Sequence, residues 1–148
     1  MNLLKCGAEI GYDKAMQSIY PTLRYNDARA AIEWLKSTLG FEEHEVYAGD
    51  DGSIAHAQLA LAGNLIMLGN VKDDAHGKSP GALGGVTGGI YIALDGPAGV
   101  DSCYARAKAA GAEIVREVTD TDYGSREFGT RDPEGHIWSF GTYRPQAT

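Results

Sequence analysis

Hydrophobic and polar residues alternate along a short stretch that occurs twice in the chain, at an offset of 71 positions. The matched pairs are Ile19 with Ile90, Tyr20 with Tyr91, and Leu23 with Leu94. The same offset relates Gly40 to Gly111, and it grows to 72 where Leu68 falls on Phe140. The chain is therefore predicted to contain two copies of one module, and a binding site is expected between them.

The first module has the pattern of a strand, a helix and three further strands. Alternation predicts a strand over residues 18–25. Asn26 and Asp27 supply a helix N-cap, apolar residues follow at helical spacing, and Gly40 is the expected end of the helix. The three strands that follow are predicted over residues 42–48, 54–61 and 65–69.

The second module repeats this order. Its predicted elements are a strand over residues 90–95, a helix from Pro97 to Gly111, and strands over residues 112–118, 125–131 and 137–143. We divide the chain into an N-terminal arm (residues 1–17), a first module (18–69), a linker or mobile loop (70–86) and a second module (87–148), which together form one domain. Each helix is expected to cover one face of its own sheet, which leaves the opposite faces to curve around a shared cleft.

Composition indicates an ordinary globular domain. The chain has 148 residues, of which 43% are hydrophobic and 22% charged, and it has no apolar run of membrane-spanning length and no signal-peptide pattern. We therefore expect a cytoplasmic protein whose two cysteines, Cys6 and Cys103, are reduced thiols. The net charge of -7 argues against nucleic acid and is compatible with a cationic small molecule, although many acidic proteins are simply soluble.

The order of the modules and two short motifs resemble the vicinal oxygen chelate superfamily, which includes glyoxalase I, bleomycin-resistance proteins and extradiol dioxygenases. The motifs are Asp-Pro-Glu-Gly-His at residues 132–136 and Leu-Arg-Tyr at residues 23–25, followed by Asp27. The resemblance covers about residues 18–143. It implies an α+β fold, with two tandem βαβββ modules forming a curved mixed sheet around a cleft, and it implies a homodimer.

Enzymes of this superfamily hold a divalent metal with His, Glu or Gln from the first and last strands of each module. The resemblance assigns these positions to Tyr20, Met67, Tyr91 and Ser139. An alignment slip of two residues would bring in Thr22, Ala93 or Ile137 instead. None of these side chains is a usual ligand of a catalytic metal, so we expect no metal cofactor and no glyoxalase chemistry.

The predicted cleft is aromatic and polar. By alternation its lining is Tyr20, Thr22, His56, Gln58, Met67, Tyr91, Phe128, Thr130 and Ser139. His56 shares a face with Gln58, although a strand histidine bonded to a neighbour has the same pattern. His136 is expected beneath the second helix, and Asp95 is the only acid predicted near the cleft. Such a lining suits stacking against a planar or amphipathic ligand, while the two tyrosines would equally fill the cleft by packing on each other.

Three hypotheses follow. The first is a metal-free protein that binds a small planar or cationic, drug-like molecule, as bleomycin-resistance proteins do. The second is an atypical metal-dependent lyase, isomerase or dioxygenase that uses His56 and Gln58. The third is a structural or partner-binding module with a filled cleft. The arm over residues 1–17 is a candidate for crossing to a second subunit, and the linker has the length and glycine content of a lid.

Overall fold

Each half of the chain folds into a four-stranded mixed sheet that carries a helix on one face. The computed structural model describes residues 17–147, so the predicted N-terminal arm lies outside the described residues except for Gln17. The first half consists of β1 (Thr22–Tyr25), α1 (Ala28–Trp34, continued by a π-helical turn over Leu35–Leu39), β2 (Glu42–Ala48), β3 (Ile54–Leu61) and β4 (Asn64–Asn70). A short helix, α2 (Pro80–Leu83), connects it to β5 (Ile90–Ala93), α3 (Pro97–Ala109), β6 (Glu113–Asp120), β7 (Arg126–Arg131) and β8 (Ile137–Gly141).

The two sheets have the same topology. The strand orders are β1-β4-β3-β2 and β5-β8-β7-β6. In each sheet the first and last strands of the module are parallel, and the other neighbours are antiparallel. This arrangement confirms the predicted α+β fold with two tandem βαβββ modules.

The helix ends lie where the sequence predicts them. The Asp27 side chain accepts a hydrogen bond from the Ala30 backbone N–H at 3.0 Å and so caps α1. Gly40 and Gly111 follow the two helices with φ values of 84° and 76°, a left-handed conformation that favours glycine. The N-caps, Asp27 and Gly96, are only 69 positions apart. The second helical segment is therefore two residues longer than the first.

Part of the predicted linker is anchored to the first module. Ser79 caps α2, with Pro80 in its first turn, and both residues are buried. The Ser79 hydroxyl also accepts a hydrogen bond from the Asn26 side-chain amide at 2.9 Å. No helix among residues 17–147 is long and apolar enough to cross a membrane.

The helix-covered faces of both sheets contribute to one hydrophobic core. Phe41 of the first module packs edge-to-face on Trp138 of the second, with their ring centroids 5.5 Å apart. The Tyr25 hydroxyl donates to Asp132 at 2.6 Å. His136 lies against the Tyr25 ring, and its Nε2 is 3.0 Å from the Arg24 carbonyl oxygen. The prediction that His136 lies beneath the second helix is therefore wrong, because this side chain joins the two modules.

Candidate functional site

Four of the predicted site residues lie together on the uncovered face of the first sheet. Thr22 pairs with Met67, and Met67 pairs with Gln58, so their side chains share one face. His56 lies two residues before Gln58 in β3, so its side chain is on the same face. Thr22, His56 and Met67 border a shallow cavity of about 90 Å³.

His56 and Gln58 are in direct contact, as their shared face predicts. The Gln58 Nε2 and the His56 Nε2 are 3.2 Å apart. The Tyr47 ring stacks near the imidazole of His56, with centroids separated by 6.2 Å. The wall of this cavity includes His56 and the charged residue Arg24, whereas Gln58 does not border it.

The uncovered face of the second sheet carries two more of the predicted residues. Tyr91 pairs with Ser139, Ser139 pairs with Gly129, and Gly129 pairs with Arg116. Tyr91, Arg116 and Ser139 line a cavity of about 680 Å³. That volume is in the range of sites that bind small molecules.

Phe128 does border the cavity of about 680 Å³, although its side chain is only 1% exposed, whereas Thr130 lies outside that cavity. The two side chains point to the opposite face of β7 from the one predicted. Phe128 pairs with Phe140 and Thr130 with Trp138, and all four side chains lie in the core on the helix side. The Phe128 ring stacks on Phe140 at 5.0 Å, and the Thr130 hydroxyl donates to the Glu113 carbonyl at 2.7 Å. The sequence does hold a signal for this phase, because Trp138 and Phe140 are large apolar residues at alternate positions of β8 and their cross-strand partners share their face.

Tyr20 lies before β1 rather than in it, and its hydroxyl donates to the Gln17 carbonyl at 2.8 Å. Thr22 is the residue that pairs with Met67, just as Tyr91 pairs with Ser139. The equivalent first-strand positions are therefore Thr22 and Tyr91. Their offset is 69 rather than 71 because α3 and its C-terminal turn add two residues after the strand.

The positions that the resemblance assigns to metal ligands thus carry Thr22, Met67, Tyr91 and Ser139. Two hydroxyls, a phenol and a thioether do not form the imidazole and carboxylate set that a catalytic divalent metal needs. Among residues 17–147, no group of three or more His, Cys, Asp or Glu side chains is arranged to hold a metal ion. The donor set at these positions does not fit a superfamily-type metal centre.

The second cavity contains a buried charge that the sequence reasoning missed. Glu127 is only 7% exposed, and its Oε2 accepts hydrogen bonds from Arg116 Nη1 at 2.8 Å and from the Tyr123 hydroxyl at 2.9 Å. Asp95, the acid predicted near the cleft, instead pairs with Arg144 at 3.0 Å on the surface. Glu127 was missed because the sequence analysis assigned the alternate residues of β7 to the cavity, which placed the Glu127 side chain on the opposite face.

Tyr91 is held in place beside this charge. Its hydroxyl donates to the Tyr143 carbonyl oxygen at 2.7 Å. Its ring lies against Gly141, where a Cβ atom would collide with the Tyr91 hydroxyl and with Glu127. Burial raises the pKa of the Tyr91 hydroxyl, and the nearby Glu127 carboxylate also raises it. The phenol is therefore a neutral hydrogen-bonding group at physiological pH.

One chain does not bring the two sets of candidate residues together. Thr22, His56 and Met67 border one cavity, whereas Tyr91 and Ser139 border another. The physical reason is the shared core: because the helix-covered faces pack towards each other, the uncovered faces point away from that core. The residues predicted for one cleft therefore border two separate cavities.

Comparisons with known proteins give a consistent assignment. A model of the Glyoxalase/Bleomycin resistance protein/Dioxygenase superfamily matches residues 17–140. Uncharacterised proteins of Mycobacterium bovis and Mycobacterium tuberculosis are 34% identical over 127 residues, which cover 84% of this chain and 82% and 73% of theirs. The crystal structure of TioX from Micromonospora sp. ML1 matches with a TM-score of 0.65 and 26% identity, over 86% of this chain and 100% of that one.

The fosfomycin resistance protein FosX of Listeria monocytogenes, complexed with Mn(II) and sulfate, matches with a TM-score of 0.61 and 18% identity. The match covers 86% of this chain and 93% of FosX. At this identity the likeness shows a common fold alone.

Proposed function

We propose that this chain, which belongs to the Glyoxalase/Bleomycin resistance protein/Dioxygenase superfamily, binds a small planar molecule without a metal ion. The observation that carries the proposal is the 680 Å³ cavity over the second sheet and its aromatic wall. Tyr91, Tyr123 and Tyr143 line it and are 39%, 58% and 52% exposed. Three large aromatic side chains exposed at one cavity offer rigid stacking surfaces that a ligand would remove from water.

We further propose that a second copy of the chain completes the site. The face with Thr22 and Met67 and the face with Tyr91 and Ser139 occupy equivalent positions in the two modules. A two-fold axis that lays the first sheet of one chain over the second sheet of its partner creates two identical clefts. The strands β1 and β5, which lie at the edges of their sheets, would meet across this interface.

A thermal-unfolding screen of planar compounds in the presence of a chelator tests metal-free binding. A ligand at a hundred times its dissociation constant should stabilise the folded protein by about 2.7 kcal/mol. Tyr91→Ala should abolish most of this shift because it removes one of the three aromatic rings of the cavity wall. Leu83→Ala is the control, since Leu83 is also exposed but lies on α2 outside this cavity. Equal shifts in both variants would contradict the proposed site.

The second candidate is a metal-dependent enzyme, and the contact between His56 and Gln58 is the observation that favours it. The same screen distinguishes the two functions. Stabilisation by Mn²⁺, Fe²⁺, Ni²⁺ or Zn²⁺ in the absence of any organic ligand would support the enzyme. Stabilisation by an organic compound that persists in chelator would support the binding protein.

A further inference from the structure

We infer that the cavity over the second sheet recognises the positive charge of a planar organic cation, with Glu127 as its counter-charge. The aromatic wall around this charge is formed by Tyr91, Tyr123 and Tyr143. This inference rests on the proposed function, because it names the chemical group that the same site takes.

Glu127 is the most deeply buried charge at the cavity. Its side chain is 9% exposed, compared with 49% for its partner Arg116. Both hydrogen bonds from Arg116 and Tyr123 go to Oε2. Within residues 17–147, Oε1 accepts no side-chain hydrogen bond. Because no buried side-chain oxygen or nitrogen among residues 17–147 lacks a partner, Oε1 keeps some exposure and a cation in the cavity can approach it.

The tyrosines are arranged so that a cation beside Glu127 also meets aromatic rings. Tyr123 and Tyr143 pack edge-to-face, with centroids 6.1 Å apart, and the Tyr123 hydroxyl reaches Glu127. Tyr91 also lies close by, because the absence of a side chain at Gly141 leaves room for both its ring and Glu127. Aromatic faces grouped around a carboxylate attract a quaternary or protonated amine through their quadrupoles.

The position of Arg116 argues for a cationic rather than an anionic ligand. Its guanidinium lies at the rim, half exposed, whereas the carboxylate lies at the floor. An anion bound to Arg116 would lie beside Glu127 and be repelled by it. A ligand cation can lie beside Oε1 while Arg116 keeps its hydrogen bond to Oε2.

Calorimetric titration with three planar compounds of similar shape tests the inference on the full-length protein. The probes are N-methylquinolinium (a cation), 1-methylnaphthalene (neutral) and 1-naphthoate (an anion). We expect the cation to bind most tightly. Glu127→Gln should weaken its binding by about tenfold to a hundredfold, because a charge-assisted contact is lost. Arg116→Gln should tighten it, because Glu127 then loses the positive charge that now neutralises it.

Glu113→Gln is the matched control, since Glu113 pairs with Arg131 at 3.3 Å and lies outside this cavity. It should not change the affinity for N-methylquinolinium, and melting curves establish that all variants fold. Tightest binding of 1-naphthoate, lost in Arg116→Gln, would overturn the inference while preserving the binding function. Cation binding that is unaffected by Glu127→Gln would also overturn it. Absence of binding by all three probes would overturn both the inference and the proposed function.

Discussion

At the scale of single residues, Asp132 shows what the Asp-Pro-Glu-Gly motif does. Its buried Oδ2 accepts hydrogen bonds from the Tyr25 hydroxyl at 2.6 Å and from the Trp138 indole N–H at 3.0 Å. Its Oδ1 accepts from the backbone N–H groups of Glu134 and His136. The residue that shapes the turn before β8 therefore also joins the two modules, and the sequence revealed only the turn.

Tyr25→Phe tests the strength of this connection. At neutral pH we expect the substitution to lower the free energy of unfolding by roughly 1–2 kcal/mol, because Asp132 loses a buried donor. Chemical denaturation measures the change. Tyr143→Phe is a suitable control, since Tyr143 is 52% exposed. An effect no larger than that of the control would contradict the role of the hydroxyl.

The difference in unfolding free energy between wild type and Tyr25→Phe should also depend on pH in the alkaline range. Burial, together with the neighbouring carboxylate of Asp132, raises the pKa of the Tyr25 hydroxyl far above its ordinary value of 10.0. The folded state thus keeps a proton that the unfolded state releases, so the stabilisation is complete below pH 10 and declines as the pH rises above it. Up to about 1.4 kcal/mol is lost per pH unit. The stability difference between wild type and Tyr25→Phe should therefore narrow above pH 10, and a constant difference would contradict this account.

At the scale of elements, helix ends were predictable and the phases of some strands were not. Asp27, Gly40 and Gly111 act at helix ends, where the local backbone conformation determines their role. Such roles can be predicted from the residue type and its neighbours in the sequence. Which side chains of β7 face the core depends on how β7 pairs with β8. Which residue of β1 is equivalent to Tyr91 of β5 depends on the length of a helix further along the chain. These are tertiary properties, so Phe128, Thr130 and Tyr20 were misplaced and Glu127 was missed.

The N-cap of α1 gives a test at this scale. Asp27→Ala should reduce the free energy of unfolding by about 1 kcal/mol, because the N–H of Ala30 loses its acceptor. Asp27→Ser should retain most of the stability, since a serine hydroxyl also caps. Thermal and chemical denaturation measure both variants. If alanine and serine prove equivalent, the cap does not contribute as described.

At the scale of the whole molecule, the shared core explains why one chain presents two separate groups of candidate residues. Contacts such as Phe41 with Trp138 hold the helix-covered faces together, so the residues predicted for one cleft border two separate cavities. The repeat predicted from the sequence gave the modules and their topology. It did not specify which faces of the modules would pack, because both faces of each strand pattern contain apolar residues.

The most direct test of the central claim is to mix two variants that are each defective in a different half-site. Met67→Arg blocks the uncovered face of the first sheet, and Tyr91→Ala removes the ring from that of the second. If each cleft joins the first sheet of one chain to the second sheet of its partner, a mixed dimer regains one intact cleft. Calorimetry with N-methylquinolinium after the two variants are unfolded and refolded together should then recover about a quarter of the wild-type binding sites. Recovery no greater than the average of the separate variants would contradict a site shared between two chains.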